Sequence, residues 1–440
     1  MTLRRQKMNI TQFTMEEVRC FAEPQTLEIR PLTFLVGENS TGKTTALACF
    51  HVLAGYLRGA GVDFNSHPYS MGTFRDIVRN SKKKEKNFKL GFTSKYNTED
   101  IETTVEFVEK HAGIEPVVSS ITMKLTDGEI VVRSEDAMGR VLRLDASNKE
   151  QNRYKIACDT DRLNEYSVYF FFPSFTQESK GKIAFSEYFK KKVKKFECSP
   201  WDIFRTVSVF STSPVRSRPK RTYDPTREFD DPEGSDVPMH LMRIEATEKK
   251  NWEALKIQLV EFGRDSGLFE NIDVKNLGRS LGAPFQLQVK VRGPKTNIND
   301  VGYGISQILP ILVQILNPLL SKSDQHTIPS SFSLLQQPEV HLHPRAQAEF
   351  SSLLAKLAGK GNRSFIVETH SDYMIDRARI EIRKGTVRPE DVSLIYFEPK
   401  GNIVRAHNIG FDKMANMMGV PPHYRNFFLK ESKRLMGFED

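Results

Sequence analysis

Gly37, Gly42, Lys43 and Thr44 stand in the octapeptide GENSTGKT (Gly37 to Thr44), which fits G-x-x-x-x-G-K-[ST] at every defined position. The spacing has a chemical reason. Two glycines let the backbone turn so that successive N–H groups face one point and form an anion nest. A helix beginning at Lys43 would aim its N-terminus at the same point. Lys43 supplies a point charge for β- and γ-phosphates, and the Thr44 hydroxyl is placed to ligate Mg²⁺. Gly37, Asn39, Ser40, Thr41, Gly42, Lys43, Thr44 and Thr45 are therefore the candidate nucleotide-binding residues.

Three further segments carry chemistry. VGYGISQILPIL (Val301 to Leu312) puts Gly302, Gly304, Ser306 and Gln307 at the start of an amphipathic helix, where small residues make an anion site or an ordinary cap. SLLQQPEVHLHP (Ser333 to Pro344) ends a strand in two glutamines, Gln336 and Gln337, followed by Glu339. FIVETHSDYMIDR (Phe365 to Arg377) is a strand ending at His370. His341 and His343 sit two apart, but no cysteine or third histidine accompanies them at metal-site spacing.

The elements that position these residues follow from periodicity. Strands are expected over 9–21, 26–30 and 32–36, the last opening into the Gly-rich turn, with a helix over 44–57. Residues 87–170 alternate as an antiparallel sheet, with ITMKLT–DG–EIVVRS (Ile121 to Ser134) a hairpin turning at Asp127-Gly128. Residues 171–240 read as irregular, Pro-rich and basic, and 245–262 as a helix. An α/β rhythm returns from Val301: helix 305–316, strand 331–335, helix 344–357, strand 364–367, then a hairpin over 391–408. An α/β core split by a long insertion is the simplest reading.

This order of motifs resembles the ABC-type ATPase heads of the SMC, RecF and OLD families. It most resembles the stand-alone AAA-15/AAA-21 ATPases of prokaryotic anti-phage systems, with PARIS- and Septu-like subunits as models. The resemblance covers residues 9–57 and 296–408. It implies an ATPase that uses ATP and Mg²⁺. It implies that Gly302, Gly304, Ser306 and Gln307 form a signature contacting a nucleotide held by a second head, hence a homodimer or higher homo-oligomer. It makes His370 the switch residue that senses the γ-phosphate. Its relatives carry two acids where Gln336 and Gln337 stand, the first on the metal and the second at the attacking water. A glutamine has the carboxylate's shape but no charge and takes no proton. Mg²⁺ binding and hydrolysis are therefore expected to be weakened. Glu339 is the nearest replacement carboxylate, and Glu368 is a second candidate. Slow hydrolysis, tight-binding sensing and an engineered glutamine all remain open at this level.

Composition bounds the rest. The 440 residues are 39% hydrophobic and 10% aromatic, enough for a sizeable core, which excludes wholesale disorder. No run approaches a membrane span, and no signal peptide is read. The four cysteines lie far apart, as expected of a reduced, cytoplasmic protein. The net charge of +9 concentrates in Lys82–Lys86, Lys190–Lys195 and PVRSRPKR (Pro214 to Arg221). The lysine runs fit solvated faces, whereas PVRSRPKR fits a recognition segment or a loop kept within the assembly. The C-terminal segment around Phe427, Phe428, Leu429 and Leu435 fits core packing or docking.

The expected fold is α/β: an ABC-type P-loop ATPase head with an antiparallel β subdomain and an inserted mixed α/β region. Boundaries are expected at 1–80, 81–175, 176–295 and 296–440. Too little chain follows His370 for a fused Toprim nuclease, so a nuclease or toxin effector is expected as a separate protein. A RecF/SMC-like ATPase that clamps DNA is the alternative, which makes DNA a possible partner; no membrane partner is expected. The energising subunit of a transporter fits poorly, because far more chain separates Gly37 from Gly302 than it needs.

Overall fold

The run Leu32–Val36 is buried on both sides, as a central parallel strand must be. Leu35 joins one apolar core, while Leu32, Phe34 and Val36 join a second on the opposite face. The period-two alternation thus places one sheet between two layers. The structure, a computed structural model, describes residues 9–81, 86–96, 99–109, 115–125, 128–134, 141–148, 153–159, 207–225, 231–279, 282–316, 330–361, 363–422, 424, 430 and 433–437.

The first half contributes β1 (Asn9–Glu16), β2 (Gln25–Glu28), β3 (Leu32–Gly37), α1 (Lys43–Arg58) and a short α2 (Phe74–Ile77). Then come β4 (Asn87–Tyr96), β5 (Glu99–Glu109), β6 (Pro116–Leu125), β7 (Gly128–Ser134), β8 (Val141–Asn148) and β9 (Arg153–Asp159). The middle adds β10 (Val207–Ser211), α3 (Val237–Thr247), α4 (Lys249–Ser266), β11 (Asn271–Asn276), β12 (Phe285–Lys290) and β13 (Thr296–Asn297). The last part holds α5 (Tyr303–Leu316), β14 (Ser330–Gln336), α6 (Pro344–Gly359), β15 (Arg363–Glu368) and α7 (Asp372–Arg383). It ends with β16 (Val392–Lys400), β17 (Ile403–Phe411) and β18 (Met417–Met418).

Among the described residues these strands form three sheets. An eight-stranded antiparallel sheet runs β2-β1-β4-β5-β6-β7-β8-β9. A seven-stranded sheet runs β10-β14-β15-β3-β16-β17-β18, parallel from β10 to β16 and antiparallel beyond. A small β11-β12-β13 sheet is not hydrogen-bonded to either and packs its buried face into the second core. Helix α1 packs with the eight-stranded sheet on one side of the central sheet, and α5, α6 and α7 cover the other. Phe50 on α1 joins the layers: its ring lies 5.4 Å from Phe13, 4.9 Å from Phe92 and 5.3 Å from Phe332. The expected fold class is the one observed.

Several local expectations change. The first strand stops at Glu16, because Glu17 and Arg19 take positive φ and Val18 bridges to Phe21 in a tight turn. The helix expected over 245–262 is two helices meeting at Glu248. The Glu248 N–H closes α3 on Ile244, and its carbonyl opens α4 by accepting from Asn251 and Trp252. The hairpin pairs Leu125 with Gly128, which makes Gly128 part of β7 instead of the turn; Asp127 lies outside the described residues. The segment read as irregular contains β10, whose residues Val207 to Ser211 pair in parallel with Ser330 to Leu334. β1 and β2 lie in one sheet with β4–β9, so that sheet runs across the boundary expected at residue 80. Lys82 to Glu85, the run Lys190–Lys195 and Phe427 to Leu429 lie outside the described residues. Among the described residues no helix is long and apolar enough to cross a membrane.

Candidate functional site

The loop between β3 and α1 is shaped by close approach. Gly42 has φ 86°, and a Cβ there would lie 2.7 Å from Phe21 Cζ and 2.8 Å from Cys20 Sγ. At Gly37 a Cβ would lie 2.7 Å from the Phe397 carbonyl oxygen. Only glycine fits either position without displacing its neighbours. The Thr41 hydroxyl donates to Glu38 O at 2.8 Å, closing the loop on itself. Lys43 Nζ curls back to donate to Gly37 O at 3.1 Å and Glu38 O at 2.6 Å, so its charge lies over the nest. Burial holds this amine below its ordinary proton affinity, against the opposing pull of Glu368 and Glu38.

Strand order brings the remaining groups here. β15 lies between β14 and β3, with Gln336 opposite Glu368 and Glu368 opposite Leu35. Glu368 therefore ends beside the start of α1, where its two carboxylate oxygens each accept from the Thr44 hydroxyl at 2.9 Å. Burial raises the Glu368 carboxyl above its usual range, and the Thr44 bond and Lys43 charge draw it back. Gln336 turns the other way: its amide donates to Thr212 O at 2.9 Å and its N–H to Thr212 Oγ1 at 3.2 Å. Of the two residues expected at the metal, Thr44 faces a carboxylate, and Gln336 is bonded to the segment after β10.

A pocket of about 450 Å³ opens over the loop, lined by Asn39 to Thr45, Arg19, Cys20, Gln337, Glu368 and His370. Gln337 has φ 42° and donates its N–H to Glu368 O at 2.9 Å, which turns the chain sharply at the end of β14. Glu339 lies behind this wall. Its Oε1 accepts the His370 N–H at 2.7 Å, and its Oε2 is buried and makes no hydrogen bond. Burial pushes the Glu339 carboxyl up. His370 is exposed to the pocket; burial of its ring and then the Lys43 charge hold its proton affinity down.

The four signature candidates do not line this pocket. Gly302 is exposed at the start of α5. Gly304 packs on the loop after β14, where a Cβ would lie 2.6 Å from His341 O. Ser306 is buried and donates to Tyr303 O at 2.8 Å. Gln307 is buried against Arg216, with Arg216 Nε donating to its carbonyl at 3.1 Å. His343 caps α6 by accepting from Arg345 N, and His341 sits edge-on to Tyr303 at 4.9 Å. Among the described residues no group of three His, Cys, Asp or Glu stands together as a cation site. The oxygen set at Thr44 and Glu368, beside an anion nest, suits a hard cation that keeps most of its waters and shares the phosphates.

The sequence did not single out Arg19 or Cys20, and it marked Arg216 only as part of the basic segment Pro214 to Arg221. Arg19 NH1 reaches Thr45 Oγ1 at 3.2 Å, and its NH2 is anchored on Met71 O at 2.9 Å. No local pattern announces Arg19 or Cys20, which share the turn between β1 and β2.

The family model described as an AAA domain matches residues 12–252, more than half of the chain. A second, AAA-15, described as an AAA ATPase domain, matches residues 235–375. No curated protein matches in sequence. Solved structures to which the chain is similar include an SmcHead bound to the C-winged helix domain of ScpA, at 11% identity and TM-score 0.44, over 92% of this chain and 98% of that one. The SMC head domain from Thermotoga maritima matches at 10% identity and TM-score 0.37, over 90% and 98%. An Smc head domain with an extended coiled coil, bound to the C-terminal domain of ScpA derived from Pyrococcus furiosus, matches at 10% and 0.41, over 98% and 99%.

Proposed function

The chain belongs to the AAA domain family and is an ATPase, and from that premise we propose an ABC-type subunit that binds ATP with Mg²⁺ and hydrolyses it slowly. The observation that carries this reading is the Thr44–Glu368 contact at the floor of the phosphate loop, next to Lys43. Thr44 and Glu368 would hold the Mg²⁺, and Gln336 is left to brace the strand end. The ion, when bound, neutralises charge on the β- and γ-phosphates. Glu368 is the one carboxylate among the pocket-lining residues, and Thr44 occupies it. Glu339 is assigned as the base for the attacking water: it holds the N–H of the pocket residue His370, and its burial raises its proton affinity. A base that begins behind the pocket wall would make turnover slow.

Turnover and ATP affinity of Glu339→Gln test the assignment. A roughly 100-fold lower kcat with affinity kept is expected. Unchanged kcat would remove Glu339 from the chemistry.

The signature expected at Gly302, Gly304 and Ser306 implies a homodimer or higher homo-oligomer through the heads. The motif order around Ser306, Glu339 and His370 supports an antiviral defence role, sensing or scaffolding, with a separate nuclease or toxin under its control. Affinity capture of the intact protein with ATP, using Lys43→Ala as the control, tests this. A co-encoded nuclease or toxin retained only with ATP supports the role. Retention of DNA alone favours a RecF/SMC-like clamp instead.

A further inference from the structure

Arg216 is only 1% exposed, although it belongs to the basic segment Pro214 to Arg221 and follows Val215, which is 68% exposed. Its side chain reaches three separate stretches of chain. Nε donates to Gln307 O at 3.1 Å, in the first turns of α5. NH1 donates to Pro214 O at 2.9 Å and, at 3.4 Å, to Ser213 O, Gln336 O and Gln337 O. The main chain adds to the grip: Arg216 N donates to Gln307 Oε1 at 3.3 Å, and Gln307 Nε2 donates to Arg216 O at 3.4 Å.

The rest of the segment is fastened too. Arg221 pairs with both carboxylate oxygens of Asp300 at 2.9 and 2.5 Å, immediately before the Gly302 motif. Asn297 Nδ2 donates to Arg221 O at 2.7 Å. This segment is therefore a strap between the start of α5 and the end of β14. One group of the strap is left over. Arg216 NH2 is buried and makes no hydrogen bond, and the same holds for Glu339 Oε2. The two residues also attract each other electrostatically. A buried guanidinium with an unspent donor is costly to keep. Burial lowers its proton affinity to about 10, against the opposing pull of Glu339 and Tyr303.

We propose that Arg216 is a positioning residue that holds the Gln336–Glu339 turn against the signature helix and thereby sets the Glu339 carboxylate for ATP hydrolysis. The proposal rests on Glu339 as the base. It gives the strap a task beyond nucleotide binding: it couples the α5 end, where a second head would dock, to the group that acts on water.

The test is a mutant cycle between Arg216→Lys and Glu339→Gln, read by single-turnover hydrolysis, ATP affinity and melting temperature. Arg216→Lys is expected to slow hydrolysis roughly 10- to 100-fold, because it keeps the charge and loses the multi-carbonyl grip. ATP affinity should stay within about twofold, and in the Glu339→Gln background the same change should cost less than about twofold more. Equal losses in both backgrounds, or an affinity loss matching the rate loss, would overturn the proposal. Full hydrolysis by Glu339→Gln alone would instead overturn the assignment of the base. Should Arg216→Lys fold poorly, Asp300→Asn loosens the Arg221 end of the strap and carries the same expectation.

Discussion

The Thr44 hydroxyl lies 2.9 Å from both carboxylate oxygens of Glu368, a residue 324 positions further along the chain. The contact exists because β15 slots between β14 and β3, which brings the end of β15 level with the phosphate loop. An acid therefore stands at the hydroxyl that a magnesium-binding loop needs, although Gln336 carries no charge. Glu368→Gln keeps the shape and removes that charge. ATP affinity in the presence of Mg²⁺ should fall about tenfold or more, with little change when Mg²⁺ is chelated. Nucleotide titrations with and without the ion check this, and equal losses in both would show that Glu368 does not act through the metal.

Restoring an acid at Gln336 should not restore fast turnover. The Gln336 amide donates to Thr212 O, and the residue pairs directly with Glu368. Gln336→Glu would place a carboxylate against a carbonyl oxygen and beside a second carboxylate, with 3% exposure to water. Loss of the donated bond and the buried repulsion are expected to cost roughly 2–3 kcal/mol. Denaturant unfolding measures the loss. A stable variant with raised kcat would show that this position faces the metal after all.

The phosphate loop was legible because its whole nest lies within eight consecutive residues, Gly37 to Thr44. The strands and helices from Val301 onward were legible for a similar reason, since each carries its own period. Glu368 stood only as a second candidate, because its role depends on which strand lies next to β3, and no local pattern records strand order. Arg216 was hidden more deeply. Val215 turns outward and Arg216 inward, against the preference of both residue types. β10 was missed because five residues, Val207 to Ser211, gain their strand character from parallel pairing with β14.

Phe50 should be among the costliest core positions. It is 1% exposed, on the helix that carries Lys43, and touches rings from β1, β4 and β14. Phe50→Ala would open a cavity where the two large sheets meet, at an expected cost of about 3–5 kcal/mol. Phe50→Leu should cost less than about half of that, since most of the volume is kept. Urea unfolding of the two variants gives the comparison. Equal small effects would mean that the layers do not depend on this ring.

Glu381 offers a test by pH, away from the nucleotide. It lies in the last turns of α7 with its side chain 7% exposed. Burial would raise its carboxyl, but hydrogen bonds from the Thr386 and Ser352 hydroxyls and from Lys384 outweigh that and hold it below its ordinary value of 4.5. A carboxyl lowered on folding stabilises the native state above its unfolded value, and the contribution fades as pH falls toward the folded one. Glu381→Gln should therefore lose roughly 1.5–3 kcal/mol at pH 7, because Ser352 on α6 and Thr386 beyond α7 lose a charged acceptor. The gap from the native protein should hold down to about pH 5 and narrow below 4.5. Unfolding curves across that range decide it: a gap independent of pH would assign the loss to packing and leave the Glu381 charge without a part in holding α7 to α6.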